Sequence, residues 1–305
     1  MHVAILMATY NGSLYLKEQL ASFKEQSYCD WSLWVSDDGS TDNTKSLINE
    51  FAGTLNNKSI QLFEGPQKGF AANFLSLICN PSLRADAYAY SDQDDIWLGD
   101  KIERAIKFLS SIPVETPGLY CSRTQYVDLD NNLIGQSIPY SKPAIFANAI
   151  IQNIAGGNTM VINDAARKLL LQAGSIVDIE LHDWWTYLLV TGSGGKVYFD
   201  QQPSVRYRQH PNNLWGMNTS LQSQIIRIKK LFGGRFQHWN DLHVIALKSN
   251  EELLNSENKK IFNQFSLARK KGMISRLIGL KRAGVYRQTL MGNLGLMTAA
   301  IFGKI

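Results

Sequence analysis

Over residues 1–95, short runs of apolar, β-branched and aromatic residues alternate with segments in which apolar residues return every three or four positions. The short runs are 3–7 (Val-Ala-Ile-Leu-Met), 31–36, 60–63 and 87–91; the periodic segments are 14–26, 44–52 and 70–78. The runs predict strands and the segments predict helices. Such an alternation predicts an α/β fold with a Rossmann-like, mostly parallel central sheet flanked by helices. Ligands of these sheets gather at the carboxyl ends of the strands, where the unusual residues of this sequence also fall.

A second strand-and-loop region runs over 118–200, and 205–208 predicts a last strand before a Pro211-Asn212-Asn213 turn. From 221 onward the pattern is helical, with basic runs at Lys229-Lys230, Lys259-Lys260, Arg269-Lys270-Lys271 and Lys281-Arg282. The chain therefore divides into a catalytic-size unit, 1–220, and a helical basic extension, 221–305. No internal repeat interrupts it.

Composition narrows the class. With 305 residues, 45% hydrophobic and 19% charged, the chain can bury a sizeable core, which excludes disorder and coiled coil. Cys29, Cys79 and Cys121 are too scattered for a disulfide framework or a thiolate metal cluster, so a reducing, cytoplasmic setting is expected. The N-terminal segment lacks the pattern of a signal peptide, and no apolar stretch nears the roughly 20 residues that span a bilayer. The net charge of +5 conceals an asymmetry: residues 1–220 hold 16 Lys+Arg against 22 Asp+Glu, and 221–305 hold 15 against 4. The two parts face different partners.

Three motifs carry candidate chemistry. Tyr90-Ser91-Asp92-Gln93-Asp94-Asp95 places three carboxylates just after an apolar strand; they repel one another unless a cation offsets them, and carboxylate oxygens suit Mg²⁺ or Mn²⁺ bound together with substrate phosphates. An acidic turn capping the next helix is the structural alternative. Ala8-Thr9-Tyr10-Asn11-Gly12 follows the first strand, and Asp37-Asp38-Gly39-Ser40-Thr41-Asp42 follows the second. Each alone reads as a turn.

Taken in order, the three resemble the family 2 glycosyltransferases of the GT-A fold, a resemblance covering about residues 1–215. It implies that Thr9, Tyr10 and Asn11 line a nucleotide pocket and that Asp37 or Asp38 accepts a hydrogen bond from base and ribose. The Lys68-Gly69-Phe70 segment resembles the family's glycine-containing turn before a helix, although Lys68 replaces the commoner Asn, and it implies a donor contact at Lys68. Asp92 would touch ribose or metal, and Asp94 would ligate a Mn²⁺ or Mg²⁺ ion bridging both phosphates.

Downstream, Leu181-His182-Asp183-Trp184-Trp185 lies where the family carries an acidic pair, here with His in place of Glu. The resemblance implies that Asp183 is the general base of an inverting displacement, with His182, Trp184, Gly157 and Asn158 on the acceptor side. An N-cap at Asp183 with both tryptophans in the core is the plain alternative. Arg206-Tyr207-Arg208-Gln209-His210 resembles an element of bacterial polysaccharide glycosyltransferases; it implies Arg206 or Arg208 on the diphosphate and His210 as a third metal ligand.

The Ser91-to-Trp97 stretch, followed by Lys101-Ile102, resembles bacterial rhamnosyltransferases of O-antigen, lipopolysaccharide-core and cell-wall assembly. It implies dTDP-L-rhamnose as donor, with UDP-glucose or UDP-galactose as the alternatives, and a lipid-linked oligosaccharide or polysaccharide as acceptor. The basic extension, amphipathic over 273–280 and 285–302, then predicts a peripheral protein on an anionic membrane at the cytoplasmic face. A solvated face or an oligomer contact is the other reading of that charge, and nucleic acid is not expected as a partner. A non-catalytic sugar-nucleotide or glycan binding module is the rival class. A nucleotidyltransferase is disfavoured because no Lys or Arg follows the first strand.

Overall fold

The computed structural model describes residues 1–55, 59–210 and 234–305. Its strands are β1 (Val3–Thr9), β2 (Trp31–Asp37), β3 (Ile60–Glu64), β4 (Ala87–Ser91), β5 (Ile96–Trp97), β6 (Gly118–Val127), β7 (Leu133–Gln136), β8 (Val161–Asn163) and β9 (Lys196–Arg208). They form one sheet in the order β3-β2-β1-β4-β8-β6-β9-β5, with β7 on β6. The long ladders are parallel: β1 pairs β2 from Val3–Trp31 through Thr9–Asp37, and β6 pairs β9 from Gly118–Lys196 through Val127–Arg208. Antiparallel pairings of β8 with β4 and β6, and of β5 with β9, are short. The strand expected at 205–208 is the end of the longer β9.

Helices α1 (Leu16–Lys24), α2 (Thr44–Gly53) and α3 (Phe70–Ile78) connect the first four strands, α4 (Lys101–Leu109) follows β5, and α5 (Phe146–Ala149), α6 (Asp164–Ala173) and α7 (His182–Gly192) occupy the middle of the chain. Strand alternation splits the core. Val3, Ile5 and Met7 face the side holding Phe23 of α1 and Ile102 of α4, while Ala4 and Leu6 face the side holding Phe74 of α3 and Leu188 of α7.

The sheet has to curl. Only residues 92–95 separate β4 from β5, yet the two strands lie four places apart in the sheet order. Flat, that separation is roughly 19 Å, more than five residue steps span even fully extended. The curl is held from inside by Trp97, which meets Phe23 edge-on at 4.8 Å and whose backbone N–H donates to Ser22 Oγ at 3.1 Å. The acidic stretch is thereby fixed where the two ends of the sheet approach.

The C-terminal helices α8 (Arg235–Ser249), α9 (Ser256–Arg269), α10 (Met273–Ala283) and α11 (Leu290–Ile301) join the core on the α7 side. Leu247, Phe262, Phe265, Leu280 and Leu296 are buried in one cluster with Trp185 and Tyr187. Asn258 Nδ2 donates to the Thr191 carbonyl at 2.9 Å and Asn148 Nδ2 to the Tyr286 carbonyl at 3.0 Å. Among the described residues, no helix is long and apolar enough to cross a membrane. The turn expected at 211–213, the helical pattern over 221–233 and the Lys229-Lys230 run lie outside the described residues.

Candidate active site

The first part of the site is built by the ends of β1 and β2, where Thr9 and Asp37 are register partners. Asp37 has no exposed surface, and its Oδ2 accepts from Thr9 Oγ1 at 2.8 Å and Ser40 Oγ at 2.6 Å while Oδ1 accepts from Ser40 N at 2.8 Å. Burial alone would raise this carboxyl; the bonds from Ser40 and Thr9, with Lys45 nearby, outweigh it and hold Asp37 below its ordinary value. Asn11 takes a left-handed φ of 47°, its N–H donating to Ser40 Oγ at 2.8 Å and its Oδ1 accepting from Thr41 N at 2.9 Å. Tyr10, 59% exposed, is clamped through its backbone by both ends of the Gln93 amide, at 2.9 and 3.0 Å.

Asp38 organises the turn before α3. Its Oδ1 accepts from Gln67 N at 2.6 Å and its Oδ2 from Gly69 N at 3.0 Å. Gly69 has φ of +87°, a conformation glycine adopts without strain, and Lys68 beside it is exposed. At Gly65 a Cβ would stand 2.7 Å from both Asn73 Oδ1 and Asp38 Oδ1, so only glycine lets this turn close on the DDGS loop.

The acidic stretch leaves β4 into the cleft. Asp95 is buried, and its Oδ2 accepts from Asn158 Nδ2 at 2.6 Å. Lys101, fully buried on the first turn of α4, donates to the Asn158 carbonyl at 2.5 Å and lies 3.3 Å from the centre of the Trp97 ring. Burial pushes Lys101 down, opposed by the charges of Asp95 and Asp92. Asp92, half-buried, is pushed up to about 7 by burial and by the negative charges of Asp94 and Asp183. Asp92 thus lies within electrostatic reach of both carboxylates assigned to the chemistry.

Asp183 opens α7. Its Oδ1 accepts from Trp184 N at 2.6 Å, its Oδ2 accepts from Gly157 N at 3.0 Å, and Asn153 donates to it as well. Burial nevertheless raises it to about 6. His182 is buried, stacked on Phe74 at 3.9 Å and edge-on to Tyr90 at 4.9 Å; neither ring nitrogen has a hydrogen-bond partner among the described residues. Burial lowers it to about 3, which keeps the ring neutral. Gly157, in a 3-10 turn over Gly157–Thr159, lets the backbone pass this ring: a Cβ there would stand 2.9 Å from His182 Nε2.

Trp184 and Asn158 lie deeper than an acceptor contact requires. Trp184 is 4% exposed, donates to the Ala149 carbonyl at 2.7 Å and meets the His243 ring at 4.5 Å; Asn158 is taken up by Asp95 and Lys101.

At the end of β9, Arg206 is half-buried opposite Ile96 of β5. Arg208 is 1% exposed and bonded to Glu18 Oε2 at 2.8 Å and the Leu129 carbonyl at 2.7 Å, its guanidinium 4.8 Å from the Tyr15 ring. His210 stacks on Tyr15 at 5.3 Å, with Nε2 2.9 Å from Asp94 Oδ2. Among the described residues, no group of three or more His, Cys, Asp or Glu side chains is arranged to hold an ion. Two of the three expected ligands, Asp94 and His210, do touch. The carboxylates of Asp94 and Asp92 suit Mn²⁺ or Mg²⁺, and a cation would offset the negative charge that, after burial, raises Asp92.

Residues far apart in the chain therefore come together: Asp94 with His210, Asp183 with Gly157, and Asp92 within electrostatic reach of both Asp94 and Asp183. Sequence reasoning missed the parts that hold them, namely Lys101 beneath the acidic stretch, Gln93 on the Tyr10 backbone, and Tyr15 with Glu18 behind Arg208 and His210. Lys101 entered the sequence reading only through the resemblance of the Ser91-to-Ile102 stretch, with no buried role attached.

Comparison with known proteins agrees with this geometry. The family model for "Glycosyl transferase family 2" matches residues 4–170. The chain is 34% identical over 236 residues, 73% of its own length and 78% of the relative's, to the dTDP-rhamnosyl transferase RfbG of Shigella flexneri. It is 26% identical over 189 residues, 62% of this chain and 69% of the relative, to the UDP-Glc:alpha-D-GlcNAc-diphosphoundecaprenol beta-1,3-glucosyltransferase WfgD of Escherichia coli. In fold it is similar to the mannosyltransferase PcManGT from Pyrobaculum calidifontis, solved in complex with GDP-Man and Mn2+, with a TM-score of 0.50 and 17% identity over 99% of this chain and 85% of that one. The S. aureus TarS 1-349 fragment in complex with UDP-GlcNAc also gives 0.50, at 14% identity over 94% and 93%. The family model spans more than half of the chain and a rhamnosyl transferase relative is 34% identical over most of it, so this protein is a glycosyltransferase and the chain belongs to glycosyl transferase family 2.

Proposed function

We infer that the protein transfers L-rhamnose from dTDP-L-rhamnose, with inversion, onto a hydroxyl of a lipid-linked oligosaccharide or polysaccharide acceptor during bacterial cell-surface glycan assembly. The observation that carries this is the placement of Asp183: a half-buried carboxylate raised to about 6 by desolvation, aligned by the Gly157 and Trp184 amides, within reach of the acidic stretch through Asp92. Such a group takes a proton from an attacking hydroxyl near neutral pH. The donor follows from the rhamnosyl relative and from the Ser91-to-Trp97 stretch.

In this reading the Thr9–Asn11 and Asp37–Asp38 loops shape the nucleotide side. The carboxylates of Asp37 and Asp38 are both occupied by their own loops, so the exposed Tyr10 and Lys68 are the ones left to meet the donor. Asp94 and His210, with Asp92, would hold Mn²⁺ or Mg²⁺. That ion supplies charge to offset the departing diphosphate. Arg206 borders the same rim, and Arg208 stiffens it from behind by joining β9 to Glu18 of α1. Residues 1–220 carry the chemistry, and the basic region 221–305 keeps the enzyme on the anionic membrane surface where a lipid-linked acceptor resides.

Release of nucleoside diphosphate is the test, measured with dTDP-L-rhamnose, UDP-glucose and UDP-galactose, each with and without Mn²⁺. Turnover of dTDP-L-rhamnose only with the ion is expected. A UDP-sugar preference would replace the donor with that of the glucosyltransferase relative, and equal release with a chelator present would remove the ion.

A further inference from the structure

Helix α11 carries no charged residue from Leu290 through Phe302, and it turns an apolar stripe to solvent. Leu290, Leu294, Met297 and Ile301, spaced at helical intervals along one face, are 76, 53, 43 and 44% exposed, while Leu296, Ala299 and Ala300 face the core. Ile274 and Ile278 of α10 are 68 and 48% exposed. Ile278 and Met297 line one groove of about 370 Å³ between the two helices, so the two stripes adjoin. Arg276 fixes the pair, donating to the Ala300 carbonyl at 2.7 Å and the Lys271 carbonyl at 2.6 Å. Exposed apolar surface of this continuity is uncommon unless something covers it.

Charge identifies the cover. Residues 270–305 contain seven Lys or Arg and no Asp or Glu. Lys271, Lys281 and Arg282 are exposed at the two ends of α10, bracketing Ile274 and Ile278. An apolar stripe rimmed by cations alone complements a surface with an apolar interior and an anionic skin. A second copy of this chain would bring the same uncompensated cations into contact. At about 1.5 Å per residue, α11 is about 18 Å long, too short to cross a bilayer and suited to lying in its headgroup layer.

We propose that the α10–α11 face is a monotopic docking platform that inserts Ile274, Ile278, Leu290, Leu294, Met297 and Ile301 into the interfacial layer of an anionic bilayer. The proposal deepens the membrane partner named above. It does not depend on which sugar is transferred, because the sedimentation readout uses neither donor nor acceptor.

Co-sedimentation of the full chain with vesicles of phosphatidylcholine alone, or with a third of phosphatidylglycerol, reads it directly. Wild type is expected on the anionic vesicles, with a fraction still bound at high salt. Changing Leu290, Leu294 and Met297 together to Ser should lower the partition coefficient at least about tenfold and remove the salt-resistant fraction. Lys271, Lys281 and Arg282 changed to Gln should remove the salt-sensitive part instead. Unchanged thermal melting would show that both variants fold, and retained nucleoside diphosphate release would separate lost docking from lost catalysis. Equal sedimentation of wild type and the Ser variant would overturn the proposal. So would a wild type that ignores vesicles and forms a dimer the Ser variant abolishes.

Discussion

Lys101 Nζ donates to the carbonyl of Asn158 at 2.5 Å from a position with no exposed surface. Through that bond the first turn of α4 grips the loop whose next amide back, Gly157 N, holds Asp183. Asn158 reaches the other way to Asp95, so the two acidic elements of the cleft share one buried fastening. Removing the lysine leaves the buried Asn158 carbonyl without its donor and takes away a positive charge acting on Asp95 and Asp92, a loss of about 1–3 kcal/mol. Lys101→Met should lower the urea midpoint accordingly, and adding Asp95→Asn should restore part of it. An unchanged midpoint in the single variant would mean that the fastening carries no load.

Asp183→Asn keeps the shape of the side chain and removes its basicity. Transfer should fall by roughly 10²–10⁴, the usual worth of a general base, with donor affinity nearly unchanged. In the wild type, kcat/KM should rise with pH through about 6, because the raised group accepts a proton only once it has lost its own. A flat profile from pH 5 to 8 would assign the base elsewhere.

Asp94→Ala removes the carboxylate in contact with His210. Calorimetry of dTDP binding with and without Mn²⁺ should show the ion's contribution to affinity disappearing. Binding that still responds to Mn²⁺ would exclude Asp94 as a ligand.

His243 is buried and pushed down to about 3, chiefly by burial and secondarily by Arg269. The unfolded chain binds a proton near 6.5 and the folded one does not, so His243 withdraws stability as pH falls from 6.5 toward 3. Asp92 and Asp183, raised to about 7 and about 6, act in the opposite sense. A variant isolates the histidine: the Tm of His243→Phe minus that of wild type should grow more positive from pH 7 to pH 4. A pH-independent difference would show that the ring is not desolvated.

Much of this architecture is legible in the sequence because periodicity encodes it. The run 3–7 and the helices after it appear where apolar spacing places them, and the three motifs fall at strand ends because parallel sheets put them there. What spacing does not carry is partnership. Nothing at Asp37 announces that its carboxylate is consumed by Thr9 and Ser40, nor at Arg208 that Glu18, 190 positions away, receives it. Lys101 follows the same rule: a lysine beginning an amphipathic helix reads as solvated, and only the curl of the sheet brings Asp95 and Asn158 over it. The apolar stripe of α11 was visible as amphipathicity, but which half faces outward depended on α10.

The tie between β4 and β5 sets a limit on how this catalyst can diversify. Four residues bridge two ends of a sheet that would otherwise lie too far apart, so the length of the segment is set by the curl as well as by its chemistry. Deleting a residue there would pull the seam shut, and inserting one would let it slacken; either would displace the carboxylates from Asp183 before any sugar was encountered. Adaptation to a new donor is therefore confined to exchanging side chains at constant loop length.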